Sequence, residues 1–228
     1  MPAANREARH ARAERAARQG WEARRADAEA AWEASETARL ESVGRLRSGD
    51  RAAVADAVRA SLEDLDFPAE TTCHVATEGA RAWLVVEMPD VEEVIPPIRA
   101  VVSVEFAVDE EPVPPAARND AHAEYVAGVA LLLARTVLSA APPIATVRVA
   151  ARRRSAEARE GWLLDVEVDR TGAAAVDPAT VDPRTFLAER PGRFRQGLDR
   201  GLSPLPPPAW LVESFGQSPE APAPPWRN

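Results

Sequence analysis

The sequence predicts an α+β domain with a mainly antiparallel five-stranded sheet and helices packed on one face, preceded by a long N-terminal helix. Runs of alternating apolar residues are joined by short turns, a pattern typical of antiparallel strands. Segments with helical periodicity lie around these runs instead of separating every two strands. The first 49 residues have no proline after Pro2 and are rich in alanine, arginine and glutamate, which favour a helix.

Composition divides the 228-residue chain into three predicted segments: a helix over 1–49, an α+β domain over 50–202 and a proline-rich tail over 203–228. The tail holds eight prolines in 26 residues. Such a segment is expected to be extended. It either ends in disorder or lies against the domain with Trp210 and Leu211 packed on it, and both are favoured over docking of the polyproline run into a partner's aromatic groove.

The N-terminal helix is predicted from about Arg6 to Leu46 and has a thin apolar face. Steps of four, seven and eleven residues return to one side of a helix. They bring together Ala13, Ala17, Trp21, Ala28 and Trp32. The helix lacks the leucine or isoleucine seam of a stable coiled coil, so we expect it either to need a partner or to be marginal alone. Its simplest interpretation is a solvated Arg/Glu helix, ahead of a partner-binding one.

Charge is uneven along the chain. Residues 1–25 carry a net charge of +4, whereas the whole chain carries −8. A basic arm on an acidic body can approach an anionic surface, nucleic acid or an acidic protein. The predicted partner-binding residues are Arg12, Arg15, Arg18, Trp21, Arg25 and Trp32.

The domain begins with a predicted helix Arg51–Leu65, for which Asp50 is a suitable N-cap. Two strands follow, Thr71–Thr77 and Ala82–Met88, separated by a short turn that indicates a hairpin. A third strand is predicted at Val101–Val108, where valines and a phenylalanine alternate with polar residues.

An acidic, proline-rich loop is predicted at Asp109–Pro115, followed by the most apolar helix of the chain, Asp120–Ser139. This helix is apolar almost all round between Val126 and Val137, so we expect it at the centre of the domain. Two more strands, Ile144–Arg152 and Trp162–Asp169, and a helical stretch near Asp182–Gln196 complete the domain.

The last two strands predict a definite register. If Val147 faces Val168, the remaining apolar residues of both strands share the buried side. Arg148 then pairs with Glu167 on the other side, where opposite charges are favourable.

Several of these segments together resemble an uncharacterised bacterial C-terminal module that usually follows a small basic domain of unknown function. The resemblance covers residues 50–200. It implies a compact bacterial domain, but it brings no assigned activity and no catalytic residues, and the small domain in front is replaced here by the Arg/Ala/Glu helix. The matching stretches are Leu62–Phe67, Tyr125–Leu131, Ile144–Arg152, Trp162–Arg170, and Val181-Asp182-Pro183 with Phe186-Leu187.

Composition excludes several chemistries. The chain has no lysine, so a Walker-type phosphate lysine, a Schiff base and a lysine general base are absent. Its single cysteine excludes an internal disulfide and a cysteine zinc cluster. The longest apolar run, Val126–Ala134, is shorter than the ~20 residues of a membrane span. No signal peptide is evident, so we expect a cytoplasmic protein with no membrane association. We also expect no cofactor and no metal.

One alternative is enzymatic. The order helix, three strands, helix, strand also occurs in restriction-endonuclease-like cores, where carboxylates at strand ends hold a divalent metal that activates water. Glu87, Asp90 and Glu105 would be that set. The usual lysine is missing, and the favoured interpretation is that these acids and those of Trp162–Asp169 lie on a solvated face of the sheet.

The remaining candidates indicate structural roles. Cys73 and His74 are adjacent on a strand and point to opposite faces, so they cannot form a dyad. His122 lies two residues from each of Asp120 and Glu124, which is not a metal-ligand spacing on a helix.

The sequence therefore predicts a non-enzymatic interaction or scaffold protein that docks through its N-terminal helix, either onto another protein or by self-association. The alternatives are the metal-dependent nuclease and a nucleic-acid-binding accessory that uses the arginine arm. Nucleic acid ranks below a protein partner because the chain as a whole is acidic.

Overall fold

The computed structural model describes residues 2–102, 108–154, 161–177, 179–197, 200–211 and 226–227. It is a mixture of helix and strand, with one long helix at the N-terminus. Contacts divide the chain into two units, Met1–Arg45 and Leu46–Asn228.

The helices are α1 (Pro2–Arg47), α2 (Arg51–Glu63), α3 (Val91–Val94), α4 (Pro115–Ala140), α5 (Arg170–Ala174) and α6 (Pro183–Ala188). The strands are β1 (Thr72–Glu78), β2 (Arg81–Met88), β3 (Ile98–Val102), β4 (Val108–Pro112), β5 (Thr146–Arg153), β6 (Trp162–Asp169), β7 (Gly192–Phe194) and β8 (Trp226–Arg227).

The main sheet has six strands in the order β7-β6-β5-β2-β1-β8. Its central pair, β2 and β5, is parallel, and the other pairs are antiparallel. The described sheet is therefore mixed and has six strands instead of the predicted five, although four of its five pairings are antiparallel. Between β2 and β5 the chain passes through α4, and such a crossover returns it beside β2 in the same direction.

The predicted register of the last two strands is confirmed. Val147 pairs with Val168 and Arg148 with Glu167, as the alternation of apolar residues requires. The charged contact differs, however. Arg148 binds Asp165, one pair further along the same face, instead of Glu167.

The predicted third strand, Val101–Val108, is not a strand of the main sheet. Ile98–Val102 and Val108–Pro112 form a separate two-stranded antiparallel ribbon, and residues 103–107 lie outside the described ranges. The predicted acidic loop Asp109–Pro115 therefore falls largely in a strand. Its acids are tolerated there because they are exposed, and Arg99 lies across from Glu111 at 3.0 Å.

Two predicted helices differ at their boundaries. The central helix begins at Pro115 instead of Asp120, since proline is well suited to the first position of a helix. The predicted helix over Asp182–Gln196 ends at Ala188, and Gly192–Phe194 then pairs with β6. The first domain helix keeps its predicted cap, because Asp50 accepts a hydrogen bond from the Ala53 backbone N–H at 2.9 Å.

The core lies between one face of the sheet and the helices. Side chains of α2, α4, α5 and α6 join the apolar residues of β2, β5 and β6 in one buried cluster. By length and composition α4 could cross a membrane, but more than half of its most apolar stretch is buried inside the domain. It is the central core helix.

The opposite face of the sheet carries a smaller apolar cluster, which includes Trp83 and Trp162. It is covered by residues 203–211, which we call the C-terminal strap. Leu205, Trp210 and Leu211 of the strap are buried. This part of the proline-rich segment therefore lies against the domain, as the packed alternative predicted.

Candidate functional site

The exposed surface of α1 is the first candidate site. Alanine, arginine and glutamate make this segment helical over its 46 residues, but they supply little apolar surface of its own to bury. Trp21 is 56% exposed and Trp32 is 68% exposed. They are the largest exposed apolar side chains described on the helix.

The two tryptophans share one side of α1. They are eleven residues apart, which is about three turns and places them within about 20° of each other. Ala28 lies between them on the same side, and we call Trp21, Ala28 and Trp32 the tryptophan face. Leu40 is also exposed, about a quarter-turn from this face.

The predicted arginines divide between two sides of the helix. Arg18 and Arg25 flank the tryptophan face, whereas Arg12 and Arg15 lie about a third to a half of a turn away from it. Arg25 has its guanidinium carbon 5.6 Å from the centre of the Trp21 ring and donates from Nε to Glu29 Oε1 at 2.7 Å. Arg18 and Arg25 therefore lie beside the tryptophan face, with Arg25 in contact with Trp21, whereas Arg12 and Arg15 lie away from this face.

Sequence reasoning missed the acidic half of the same helix. Residues 26–41 carry five acidic residues and one arginine, directly after the basic residues 1–25. Glu29 and Glu36 lie on the flank that carries Arg18 and Arg25. Arg39 donates to Glu36 at 2.7 and 2.8 Å, and this hydrogen bond lowers the pKa of the Glu36 carboxyl. The charge pattern of residues 26–41 could have shown this acidic half from the sequence alone.

The second candidate is the predicted carboxylate set. Glu87 lies near the end of β2 and forms an ion pair with Arg152, its neighbour on the parallel strand β5. Asp90 precedes α3, and its backbone N–H donates to Glu93 Oε1 at 2.9 Å. Glu105 lies outside the described residues.

Arginines occupy the surroundings of these carboxylates. Arg154 pairs with Glu93 and with Glu70, the latter at 2.9 Å. The carboxyl ends of adjacent parallel strands are the usual ligand-binding edge of an open sheet. Here that edge is neutralised by ion pairs. Within the part of the chain that the structure describes, no group of three or more His, Cys, Asp and Glu side chains is placed to hold a metal ion.

Both described histidines near this edge are buried. His122 donates from Nε2 to the Pro89 carbonyl at 3.0 Å, and burial is the main cause that lowers its pKa. The pKa of His74 is also lowered by burial, with Glu87 opposing and Arg152 adding to the effect. These histidines favour the neutral form, which suits a packing role.

The remaining singled-out residues also have structural roles. Cys73 is buried, and burial raises the pKa of its thiol to about 12. The Tyr125 hydroxyl is buried beside the Thr71 side chain, and burial raises its pKa. Asp120 lies in the second turn of α4 and accepts from Arg184 at 2.9 Å.

The expectation of a solvated acidic face is wrong for Asp165. This carboxylate is 2% exposed and accepts two hydrogen bonds from Arg148, at 2.8 and 2.9 Å, and one from Trp210 Nε1 at 2.9 Å. The bond to Asp165 is the main cause that raises the pKa of Arg148. Asp169 instead caps α5, accepting from the Gly172 N–H at 2.7 Å.

A scan against protein-family models and searches of curated proteins and solved structures returned no match to this chain. The resemblance to the bacterial module therefore stays a prediction.

Proposed function

We propose that this chain is a non-enzymatic interaction or scaffold protein of the cytoplasm that docks through the tryptophan face of α1. The exposure of Trp21 and Trp32 on one side of a long helix carries this proposal. Indole rings give a large, rigid contact area at low entropic cost, and they dominate the energetics of many protein interfaces.

The helix is suited to docking because it has little to stabilise it in isolation. A helix that is polar nearly all round gains most of its stability from packing against something else. In this role, the sheet domain is the folded body that the docking helix carries to the partner.

The carboxylate edge supports an enzymatic function less well. A catalytic metal site needs free carboxylate oxygens that converge on one point. Glu87 is engaged by Arg152, and Glu93 is engaged by Arg154. The arginine arm supports nucleic-acid binding less well than protein binding, because the acidic half of α1 follows it directly.

A pull-down with the full chain tests the proposal. The variant Trp21→Ala/Trp32→Ala removes both indoles and keeps good helix formers in their place. The control Gln19→Ala/Thr37→Ala makes two substitutions on the far side of the same helix. We expect partner binding to survive in the control and to fall about tenfold or more in the tryptophan variant.

Two results would contradict the proposal. One is a native partner retained equally by both variants. The other is a loss of binding in the Gln19→Ala/Thr37→Ala control as large as in the tryptophan variant, since binding would then not depend on the indoles.

A further inference from the structure

We propose that the partner of α1 is α1 of a second copy of this chain, paired in antiparallel direction through the tryptophan face. This inference rests on the proposed function and names the partner of the same surface. Three features of the described helix support it: the placement of the indoles, the distribution of charge and the small residues beside them.

The indoles are arranged as a twofold axis requires. Trp21 and Trp32 are equidistant from the midpoint of Ala26 and Asp27 and lie on one side of the helix. When two antiparallel copies are related by a twofold axis through that midpoint, Trp21 contacts the partner's Trp32, and the same contact repeats on the other side. All four exposed indoles are then covered together.

The charge distribution selects the antiparallel direction. In α1 a basic N-terminal half precedes an acidic C-terminal half. A parallel, in-register pair would bring like charges together along its whole length, which is unfavourable. An antiparallel pair brings the basic half of each copy against the acidic half of the other.

Individual charges match on one flank. Arg18, Arg25, Glu29 and Glu36 all lie between about 40° and 80° from Trp21, in the same rotational direction. A twofold antiparallel pair brings this flank of one copy against the same flank of the other. Arg18 then lies within one residue, about 1.5 Å along the axis, of the partner's Glu36, and Arg25 within the same distance of the partner's Glu29.

The other flank is lined by small side chains. Ala17, Ala28 and Ser35 lie within about 40° of Trp21 on the side opposite to the charges. Small residues let two helix backbones approach closely, which compensates in part for the missing leucine seam. Ala17 lies within one residue, about 1.5 Å along the axis, of the partner's Ser35 in the same arrangement.

The expected affinity is modest. A fully buried indole covers roughly 150–250 Å², and those of α1 are only partly exposed before pairing. Four indoles with the adjoining alanines and arginine stems give an area near the lower end of stable interfaces, about 1,200 Å². We therefore expect a concentration-dependent dimer with a dissociation constant on the order of micromolar.

A charge exchange in the full-length protein tests the pairing. Arg18→Glu/Arg25→Glu makes the charged flank wholly acidic, and Glu29→Arg/Glu36→Arg makes it wholly basic. Sedimentation equilibrium should show the wild type dimerising and each variant alone dimerising about tenfold or more weakly. An equimolar mixture of the two variants should recover the wild-type association, because every pair is then opposite in sign.

The control is Arg51→Glu/Arg59→Glu, which makes the same change in net charge as Arg18→Glu/Arg25→Glu at exposed positions of α2, outside α1. It should dimerise like the wild type. The pairing is overturned if the wild type stays monomeric at about 100 µM, or if the control weakens association as much as the flank variants. It is also overturned if mixing the two flank variants restores nothing.

Disulfide cross-linking tests the direction. A mixture of Ala17→Cys and Ser35→Cys chains should form the mixed disulfide, since a bridge needs Cα atoms about 4.4–6.8 Å apart. A parallel pair would instead link each variant to itself and would contradict the antiparallel arrangement. The native Cys73 is buried and should not contribute.

The inference and the proposed function can fail separately. If the purified wild type is monomeric but Trp21→Ala/Trp32→Ala still abolishes capture of a different protein, the self-pairing is overturned and the docking role stands. If both dimerisation and capture are unaffected by the tryptophan variant, the proposed function fails as well.

Discussion

At the scale of single residues, Asp165 joins the main sheet to the C-terminal strap. Its buried carboxylate joins Arg148 of β5 to Trp210 of the C-terminal strap, and the Arg148 guanidinium carbon lies 5.7 Å from the centre of the Trp210 ring. When a buried carboxylate loses a hydrogen-bond donor, its desolvation is no longer offset, and the folded state is destabilised. The Asp165 contacts therefore fix where the strap lies on the sheet.

Trp210→Phe tests this contact. The change keeps an aromatic ring but removes the Nε1–H donor to Asp165, so we expect the free energy of unfolding to fall by about 1–2 kcal/mol. Urea denaturation of the full chain measures it. The control is Trp83→Phe in the same apolar cluster, whose indole nitrogen has no hydrogen-bond partner among the described residues. An equal loss in both variants would refute the role of the indole donor.

The buried histidines predict a pH dependence. The pKa values of His74 and His122 are both lowered in the fold from 6.5, mainly by burial. Below that value the unfolded chain takes up protons that the folded chain resists, so stability is fully present above pH 6.5 and falls as the solution is acidified further. We expect the free energy of unfolding to decrease between about pH 6.5 and 5.5.

The variant His74→Gln/His122→Gln should flatten this dependence over the same range. Thermal unfolding at each pH in matched ionic strength is the measurement. A slope that is unchanged in the double variant would assign the pH dependence to carboxylates instead.

At the scale of elements, two glycines predict opposite effects of the same substitution. Gly128 lies inside α4, and a Cβ added there would meet no atom within 4 Å. Gly192 has a φ of +131°, and an added Cβ would lie 2.1 Å from the Asp165 carbonyl oxygen. Gly128→Ala should therefore raise the free energy of unfolding by about 1 kcal/mol. Gly192→Ala should lower it by several times that amount.

Urea denaturation of both variants beside the wild type measures these changes in the free energy of unfolding. A stabilising Gly192→Ala would contradict the described conformation at the start of β7. A destabilising Gly128→Ala would show that the glycine in α4 has a packing role that the structure does not contain.

The elements also show what sequence patterns predict and where they stop. The register of β5 and β6 was predictable because a slip of one residue would move Val147 and Val149 to the wrong face. The parallel pairing of β2 with β5 was not predictable, because alternation within each strand carries no information about which distant strand lies beside it. The β3–β4 ribbon was missed for a related reason, since exposed strands lack a buried face to pattern.

The residues of the candidate sites also differ in whether the sequence alone could predict their surroundings. Trp21 and Trp32 were predictable because the eleven-residue step alone places them on one side of α1. The burial of Asp165 was not, because its partners come from segments 17 and 45 residues away. The local sequence therefore predicted the exposed tryptophan face of α1, and only the fold showed that Asp165 is buried and paired.

At the scale of the whole molecule, the C-terminal strap covers one face of the main sheet. The C-terminal strap covers Trp83 and Trp162 on the face that the helices leave open, and its Leu205 N–H donates to the Trp162 carbonyl at 2.8 Å. An uncovered patch of this kind would be an aggregation risk. The strap thus protects the sheet in addition to stabilising it.

Truncation after Ser203 tests this role, and truncation after Leu211, which keeps the strap but also removes β8, is the control. Removing Leu205, Trp210 and Leu211 gives up roughly 1.5–3 kcal/mol of burial for each side chain, which the regained chain entropy offsets in part. We expect a net loss of about 2–5 kcal/mol in the free energy of unfolding and new binding of a hydrophobic dye. An unchanged melting temperature with no dye binding would show that the strap is dispensable.

The burial of Cys73 in β1 has an experimental consequence. It is the only thiol of the chain, and with a pKa of about 12 it holds almost no thiolate at neutral pH while the fold is intact. A thiol reagent can therefore modify the protein only when β1 separates from its neighbours. The labelling rate of the unmodified protein thus reports how often this part of the sheet opens, without any engineered probe.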